Sequence, residues 1–155
     1  MIVCRKEYYK EYREANKEKI KEYYQKNKEK LKEKVKEYQK NRKKTNPLFK
    51  MRCSLSSRTR EAFKVSRWNK NNTTEKLLGC NYETAFKYLE KQFTKGMKWS
   101  NQGKWHIDHK IPLASAKTET ELIKLCFYTN LQPLWAEDNL SKSAKINGQQ
   151  TFLYL

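Results

Sequence analysis

The sequence predicts an α+β protein that is mostly helical, with a small strand–strand–helix unit in its C-terminal part. A lysine-rich block without glycine or proline fills residues 5–44 and predicts one long helix. Capping residues and apolar spacings of three and four predict further helices up to residue 95. Two short segments, WHIDHKIPL and LQPLWA, predict the strands. We therefore expect a long basic helical extension over 1–46, an arginine-rich helical segment over 47–95 and the strand-containing domain over 96–155.

Composition points to a polyanionic partner. The 155 residues include 35 Lys and Arg against 17 Asp and Glu, a net charge of +18, and only 37% are apolar. Nucleic acid is the simplest partner for this charge, although charge alone does not separate DNA from RNA or from an anionic membrane surface. No apolar run approaches the roughly 20 residues that span a bilayer, and MIVCRKEYYK is a poor secretory signal. We expect a soluble intracellular protein without a membrane partner.

The spacing of the four cysteines predicts reduced, unpaired side chains and no zinc site. None of them forms a CxxC pair, and scattered cysteines in such a chain are usually reduced and buried or half-buried. No structural zinc is expected. The residues concerned are Cys4, Cys53, Cys80 and Cys126.

The long basic helix repeats itself. NKEKIKE at 16–22 returns as NKEKLKE at 27–33, an offset close to three helical turns. Two interpretations stay open: a basic arm along phosphates with tyrosines stacking or packing, or a solvated helix that docks on the body or on a second copy. The block carries 17 basic and 8 acidic residues, and glutamates among the lysines weaken the first interpretation. A sparse apolar stripe is formed by Tyr8, Tyr12, Ile20, Tyr23, Leu31, Val35 and Tyr38.

Cap signals place the middle helices. Asn46 and Pro47 predict the start of a helix that runs to about Ser66. TEKLLG at 74–79 predicts a short helix that Gly79 ends, and Asn81 caps a helix over YETAFKYLEKQF at 82–93. Because arginine forks suit phosphate, the first of these helices is favoured for contact with duplex DNA, the alternative being a core helix with a solvated basic face. Its candidate DNA-contact residues are Arg52, Arg58, Arg60, Lys64 and Arg67.

The C-terminal part predicts strand, insertion, strand and helix. WHIDHKIPL is predicted as a strand that Pro112 ends, after a turn at SNQGK between short extended pieces. Thr118 or Thr120 should cap a helix within TETELIKLCFYTN, and LQPLWA and EDNLSKSAK predict the second strand and the last helix. Core positions are expected at Trp99, Trp105, Leu113, Leu134 and Trp135.

Residues that suit phosphodiester chemistry cluster in HIDH. Hydrolysis needs an activated water and a group that neutralises charge on the leaving oxygen. Neutral imidazole takes a proton near pH 7, which makes His109 the candidate general base. Asp108 and Asn139 offer the oxygen ligands of Mg²⁺ or Mn²⁺. Because adjacent strand residues point to opposite faces, Asp108 and His109 share a site only where the strand ends.

In this order and at this spacing, HIDH, IPL, TNLQPLW and DNLSK resemble the HNH endonucleases of the ββα-metal superfamily, most of all the phage and virus type with Asn at the last position. The resemblance covers about residues 96–147. An arginine-rich helix and a TEKLLGC-like segment often precede such domains, which would extend it back to Phe49, but not over the first helix. It implies DNA cleavage with a divalent metal, His109 as general base, and Asn130 orienting the loop beside that base.

Several roles stay open. His106 lies on the same strand face as Asp108, where it could touch phosphate, assist the metal or position water, or be a structural strand histidine. Lys142 and Lys145 could contact phosphate or form a solvated face. Besides an endonuclease that nicks DNA or cuts both strands, the sequence allows a non-catalytic nucleic-acid-binding protein with a relic HNH core. A helical scaffold that oligomerises through residues 5–44 is also allowed. The expected setting is the cytoplasm of a microbial or virus-infected host cell.

Overall fold

A computed structural model describes residues 5–142 of the chain, and its architecture there is mostly helical with one small sheet. The predicted α+β class is confirmed. Single 3-10 turns lie at Trp99–Asn101, Leu113–Ser115 and Tyr128–Asn130. The elements in order are α1 (Arg5–Ala15), α2 (Lys17–Thr45), α3 (Pro47–Val65), α4 (Thr74–Leu78), α5 (Tyr82–Glu90), β1 (Trp105–His109), α6 (Glu119–Leu125), β2 (Leu131–Trp135) and α7 (Ala136–Lys142).

The chain divides into two compact units between Thr45 and Asn46. The first consists of α1 and α2, and none of the helical side chains from Arg5 to Thr45 is buried. Backbone hydrogen bonds from Asn16 N to Tyr12 O (3.1 Å) and from Ile20 N to Asn16 O (2.9 Å) continue the helical pattern between α1 and α2. The predicted long helix is therefore confirmed, with a local irregularity at Asn16.

The helix starts that were predicted from capping residues are confirmed. The Asn46 side chain accepts a hydrogen bond from Phe49 N (2.8 Å), with Pro47 as the first helical residue of α3. Asn81 caps α5 in the same way, and Thr118 caps α6 in a reciprocal capping box with Glu121. These side chains satisfy backbone N–H groups that the first turn of a helix leaves without partners.

Three predicted boundaries are wrong. α5 ends at Glu90 because the chain tightens into i→i−3 turns that bring the Phe93 ring onto Trp99 and Trp105, with ring centroids 5.1 and 4.8 Å apart. The turn predicted at SNQGK is present and begins with a 3-10 turn at Trp99–Asn101, but the extended piece expected before it is not formed. β1 ends at His109, before Pro112, because the side chain of Asn130, the residue just before β2, binds the backbone of Ile111.

The helices of 46–95 and the strand pair share one hydrophobic core. Met51 and Leu55 of α3 and Leu89 of α5 pack in the same cluster as Trp105 and Leu131 of the strands. A second cluster is formed by Phe63, Leu77, Leu122 and Cys126. The structure therefore joins the predicted second and third segments, with no domain boundary at residue 95.

β1 and β2 pair antiparallel, and α7 follows β2 without a loop and contacts both strands. Along β1 the side chains of Trp105, Ile107 and His109 are buried, and His106 and Asp108 on the other face are half-buried. Asp108 stands opposite Gln132 in the register. The predicted order of strand, insertion, strand and helix is thus present.

The described cysteines are free thiols: Cys53 and Cys80 are half-buried and Cys126 is buried. Burial raises the pKa of the Cys126 thiol to about 11. Cys4 lies outside the described residues. Over residues 5–142, the helices are either too short or too polar to cross a bilayer.

Candidate active site

Asp108 and His109 line one cleft although they are neighbours in the chain. The cleft has a volume of about 380 Å³ and lies between the end of β1 and α3, which contributes Arg58, Glu61 and Ala62. Because β1 stops at His109, the alternation of a regular strand no longer holds beyond it. The geometry thus meets the condition under which both side chains serve one site.

His109 is a buried imidazole in a positively charged setting. Only 8% of the residue is exposed. Burial, and then the charge of Arg58, lower its pKa to about 4 against the opposing effect of Asp108. The ring is therefore neutral at pH 7, and it is a weaker base than an ordinary imidazole.

Asp108 is an ionised carboxylate held by two side chains. Lys142 Nζ lies 2.6 Å and Gln132 Nε2 3.0 Å from its Oδ2 atom. Burial would raise the pKa of Asp108, but the hydrogen bonds from Lys142 and Gln132 outweigh it and hold the pKa below its usual value. The carboxylate therefore carries its charge at neutral pH.

Lys142 fastens the last helix to the end of β1. Besides the carboxylate, its ammonium group donates to the backbone carbonyls of His109 (2.7 Å) and Lys110 (3.0 Å). An ammonium group has three hydrogens, so these three contacts use all of them. The sequence had suggested a phosphate contact for Lys142. Here it binds Asp108 instead, inside the site. Lys145 lies outside the described residues.

Asn139 meets His106. Its Nδ2 atom lies 3.1 Å from His106 Nδ1, and one helical turn later Lys142 reaches Asp108. α7 thus runs along the outer face of β1, where His106 and Asp108 are separated by about 7 Å of strand. The amide oxygen of Asn139 is the polar atom that the His106 contact does not use.

The donor chemistry fits a hard divalent cation better than zinc. Over the part of the chain that the structure describes, no group of three or more His, Cys, Asp or Glu side chains is arranged to hold a metal. The Asp108 carboxylate lines the cleft and suits Mg²⁺ or Mn²⁺, which retain several waters, whereas Asn139, the second predicted ligand, is not among the residues that line the cleft and contacts His106. A cation at Asp108 would share that carboxylate with the ammonium of Lys142.

Asn130 holds the turn that follows His109. This buried side chain accepts a hydrogen bond from Ile111 N (2.9 Å) and donates to Ile111 O (2.9 Å) and Leu125 O (2.8 Å). Its backbone carbonyl also accepts from Lys110 N (2.7 Å). The side chain therefore ties the segment after β1 to the end of α6, directly beside His109.

Of the basic residues predicted on α3, Arg58 is the one that turns to the strands. Arg58 points to β1, where its guanidinium donates to the carbonyl of Ile107. Arg52 lies over the ring of Tyr82 with 5.4 Å from Cζ to the centroid. Of the predicted set, Arg58 alone lines the cleft of Asp108 and His109. The other three are exposed elsewhere: Arg60, Lys64 and Arg67.

Two residues of the site were missed from the sequence. Gln132 faces Asp108 across the strand pair, and only the register reveals this pairing. Glu61 lines the cleft through the face that α3 turns to β1. In the sequence its only visible feature was a negative charge among arginines.

The chain resembles two viral proteins over about two thirds of its length. It is 36% identical over 112 residues to uncharacterized protein L246 of Acanthamoeba polyphaga mimivirus, across 68% of this chain and 47% of the relative. It is 39% identical over 110 residues to uncharacterized protein L426 of the same virus, across 69% and 48%. The chain thus spans about half the length of the curated relatives it matches. No known family model and no solved structure matches it.

Proposed function

We propose that the protein is a divalent-metal-dependent endonuclease of the HNH type that hydrolyses phosphodiester bonds of DNA, as a nickase or by cleaving both strands. One observation carries the proposal. A neutral buried imidazole, His109, and an ionised carboxylate, Asp108, line the same open cleft at the end of β1. Similarity to mimivirus proteins agrees with the expected setting in a virus-infected or microbial cell.

The side chains would divide the work by their chemistry. His109 would accept the proton of the attacking water: its neutral form is the one present at pH 7, and its low pKa makes it a weaker base than an ordinary imidazole. Asp108 and Asn139 would hold Mg²⁺ or Mn²⁺, which as a Lewis acid neutralises charge on the leaving oxygen. His106 would orient the Asn139 amide through their 3.1 Å contact. Arg58 places a positive charge at the cleft, where a phosphate would lie.

The test is cleavage of supercoiled plasmid by purified protein with Mg²⁺ or Mn²⁺. We expect nicked or linear product from the wild type, and a loss of at least about a hundredfold in His109→Ala because general-base catalysis contributes that much. Asp108→Ala should be similarly inactive. Asp138→Ala is the matched control, since Asp138 is an exposed carboxylate on the same helix as Asn139, and it should cut normally.

The results distinguish a failure of the nuclease assignment from a failure of the assignment of His109 as the general base. Intact plasmid with every metal would reject the nuclease assignment. Cleavage by His109→Ala at the wild-type rate would instead reject this residue as the base. His106→Ala should fall between wild type and His109→Ala if it acts through Asn139.

A second candidate function is supported by the ion pair between Lys142 and Asp108. Because an ammonium group already neutralises the carboxylate, the site could be a relic in a non-catalytic nucleic-acid-binding protein. Such a protein would bind DNA with a strong dependence on salt, equally well as Asp108→Ala, and would not cut with any divalent metal. A nicking activity that Asp108→Ala abolishes excludes it.

A further inference from the structure

The basic helix, which we define as residues 5–45 (α1, Asn16 and α2), exposes its aromatic side chains. Its tyrosines are between 46% and 64% exposed, and none of its helical side chains is buried. Eleven residues make three turns plus about 20°. Residues eleven apart therefore lie on nearly the same side, so the repeat sorts the side chains into rows.

Three rows result from this geometry. The tyrosine face contains Tyr8, Tyr9, Tyr12, Ile20, Tyr23, Tyr24, Leu31, Val35 and Tyr38. Directly beside it, the lysine row contains Lys6, Lys10, Lys17, Lys21, Lys28, Lys32 and Lys43. On the side opposite the tyrosine face, the glutamate row contains Glu7, Glu11, Glu14, Glu18, Glu22, Glu29, Glu33 and Glu37.

The glutamates therefore do not interrupt the tyrosine face. The charged side chains that share that face are all cationic: Arg5, Arg13, Lys19, Lys30, Lys34 and Arg42. Two ion pairs link the lysine and glutamate rows, Lys21–Glu18 at 3.8 Å and Lys32–Glu29 at 2.8 Å. Both are well exposed and hold the lysines only weakly. A polyanion on the tyrosine face would meet positive charge without meeting carboxylates.

The repeat also fixes the tyrosine face locally. Asn16 Nδ2 donates to Tyr12 O (2.9 Å), and eleven residues later Asn27 Nδ2 donates to Tyr23 O (2.8 Å). The same side-chain bond thus recurs in successive repeats on the same side of the helix. Tyr12 and Tyr23 are spaced by about 16 Å along the axis at 1.5 Å per residue.

We propose that the tyrosine face and the lysine row together bind single-stranded nucleic acid. Exposed aromatic rings beside a row of cations are the two components of such surfaces, one for base stacking and one for phosphates. Base faces are available in a single strand and hidden inside a duplex. The inference is independent of the nuclease proposal.

Other occupants fit the surface less well. A two-stranded coiled coil prefers aliphatic residues in its seam, whereas this face is mostly tyrosine and would bring cations of two copies together. Membrane-surface helices use Trp, Phe and Leu on the buried face, and within 5–45 the face holds one leucine, Leu31, and neither of the other two.

The test is fluorescence anisotropy with a labelled 20-nucleotide single strand and the full-length protein, carrying Asp108→Ala to prevent cleavage. The triple variant Lys10→Ala, Lys21→Ala, Lys32→Ala should weaken binding at least about tenfold near 0.1 M salt and lower the salt slope. The matched control removes the same charge on the glutamate side, through Lys36→Ala, Lys40→Ala and Lys44→Ala. It should change affinity less than about threefold.

Stacking has its own test. Tyr12→Leu with Tyr23→Leu should weaken binding by about tenfold or more, and Tyr→Phe at both positions should restore it, because phenylalanine keeps the ring. Circular dichroism at 222 nm must show unchanged helicity in all variants. Equal losses in the two lysine triples, tighter binding of the duplex form of the same probe, or no effect of Tyr→Leu would overturn the proposal. So would binding to anionic vesicles alone, or sedimentation as an oligomer that Tyr→Leu disrupts.

Discussion

Asn130 provides the sharpest test of how the site is held together. Its buried amide makes three hydrogen bonds of 2.8–2.9 Å to the backbone of Ile111 and Leu125. Asn130→Ala leaves one N–H and two carbonyls without these partners, and each such loss costs about 1 kcal/mol. We expect the free energy of unfolding to fall by about 3 kcal/mol, which for a unit of this size lowers Tm by roughly 10 °C or more.

Asn130→Asp makes the prediction more specific. The change keeps the shape and the acceptor for Ile111 N, but it places carboxylate oxygens against the carbonyls of Ile111 and Leu125. At pH 7 it should therefore destabilise the fold more than Asn130→Ala does. Burial and the two carbonyls raise the pKa of the new carboxyl in the folded state above its unfolded value. Stability relative to wild type should then recover as pH falls through the folded pKa.

Urea unfolding followed by tryptophan fluorescence at several pH values measures these effects, since Trp105 is fully buried in the same unit. Asn71→Asp and Asn71→Ala are the controls, because Asn71 is exposed in a loop and should change stability by less than about 0.5 kcal/mol. An Asn130→Ala protein as stable as wild type, or an Asn130→Asp protein without the pH-dependent recovery, would refute the role assigned to this amide.

Three further outcomes follow from the site and its scaffold. His109 has a folded pKa of about 4 against an ordinary 6.5, so the free energy of unfolding should fall by at most about 3 kcal/mol as pH drops from 6.5 to 4. His109→Gln should remove this part of the pH dependence, which urea unfolding at several pH values measures. Lys142→Met should lower the free energy of unfolding by about 1–3 kcal/mol and raise the pKa of Asp108, because it removes the hydrogen bond to that carboxylate. NMR titration measures the carboxyl pKa, and an unchanged value would contradict the assigned contact. Gly79→Ala should lower Tm more than Gly96→Ala, although both glycines have positive φ. A Cβ at position 79 would lie 2.7 Å from the Phe127 ring, whereas a Cβ at position 96 would lie 3.8 Å from the Trp135 ring.

The helices were predictable because local interactions determine where they begin. Asn46, Asn81 and Thr118 each cap a helix through a backbone N–H three residues ahead, a contact that needs no tertiary information. The rows of the basic helix have the same origin, since they depend only on helical geometry and residue order. The boundaries that failed were those where a distant ring or amide redirects the chain, as Asn130 does at Ile111.

The sequence HIDH shows which residue types the candidate site offers, but it does not show which other side chains they contact. From the sequence, Lys142 could contact phosphate or lie on a solvated face, and Arg58 could contact duplex DNA or lie on the solvated face of a core helix. The structure gives the first to the Asp108 carboxylate and the second to the Ile107 carbonyl. Such contacts join residues 34 and 49 positions apart. They depend on strand register and on how α3 and α7 pack against β1.

The sequence by itself determined the helices, the strand pair, the lysine-rich repeat and the residue types available for proton transfer and cation binding. All of these follow from interactions within about one turn of helix or from the alternation of a strand. Only the tertiary structure decided that Asp108 and His109 share a cleft, that Asn139 meets His106 and that Arg58 turns to β1. The physical reason is that a polar side chain binds whichever partner lies within about 3 Å, and packing between distant segments decides which partner that is.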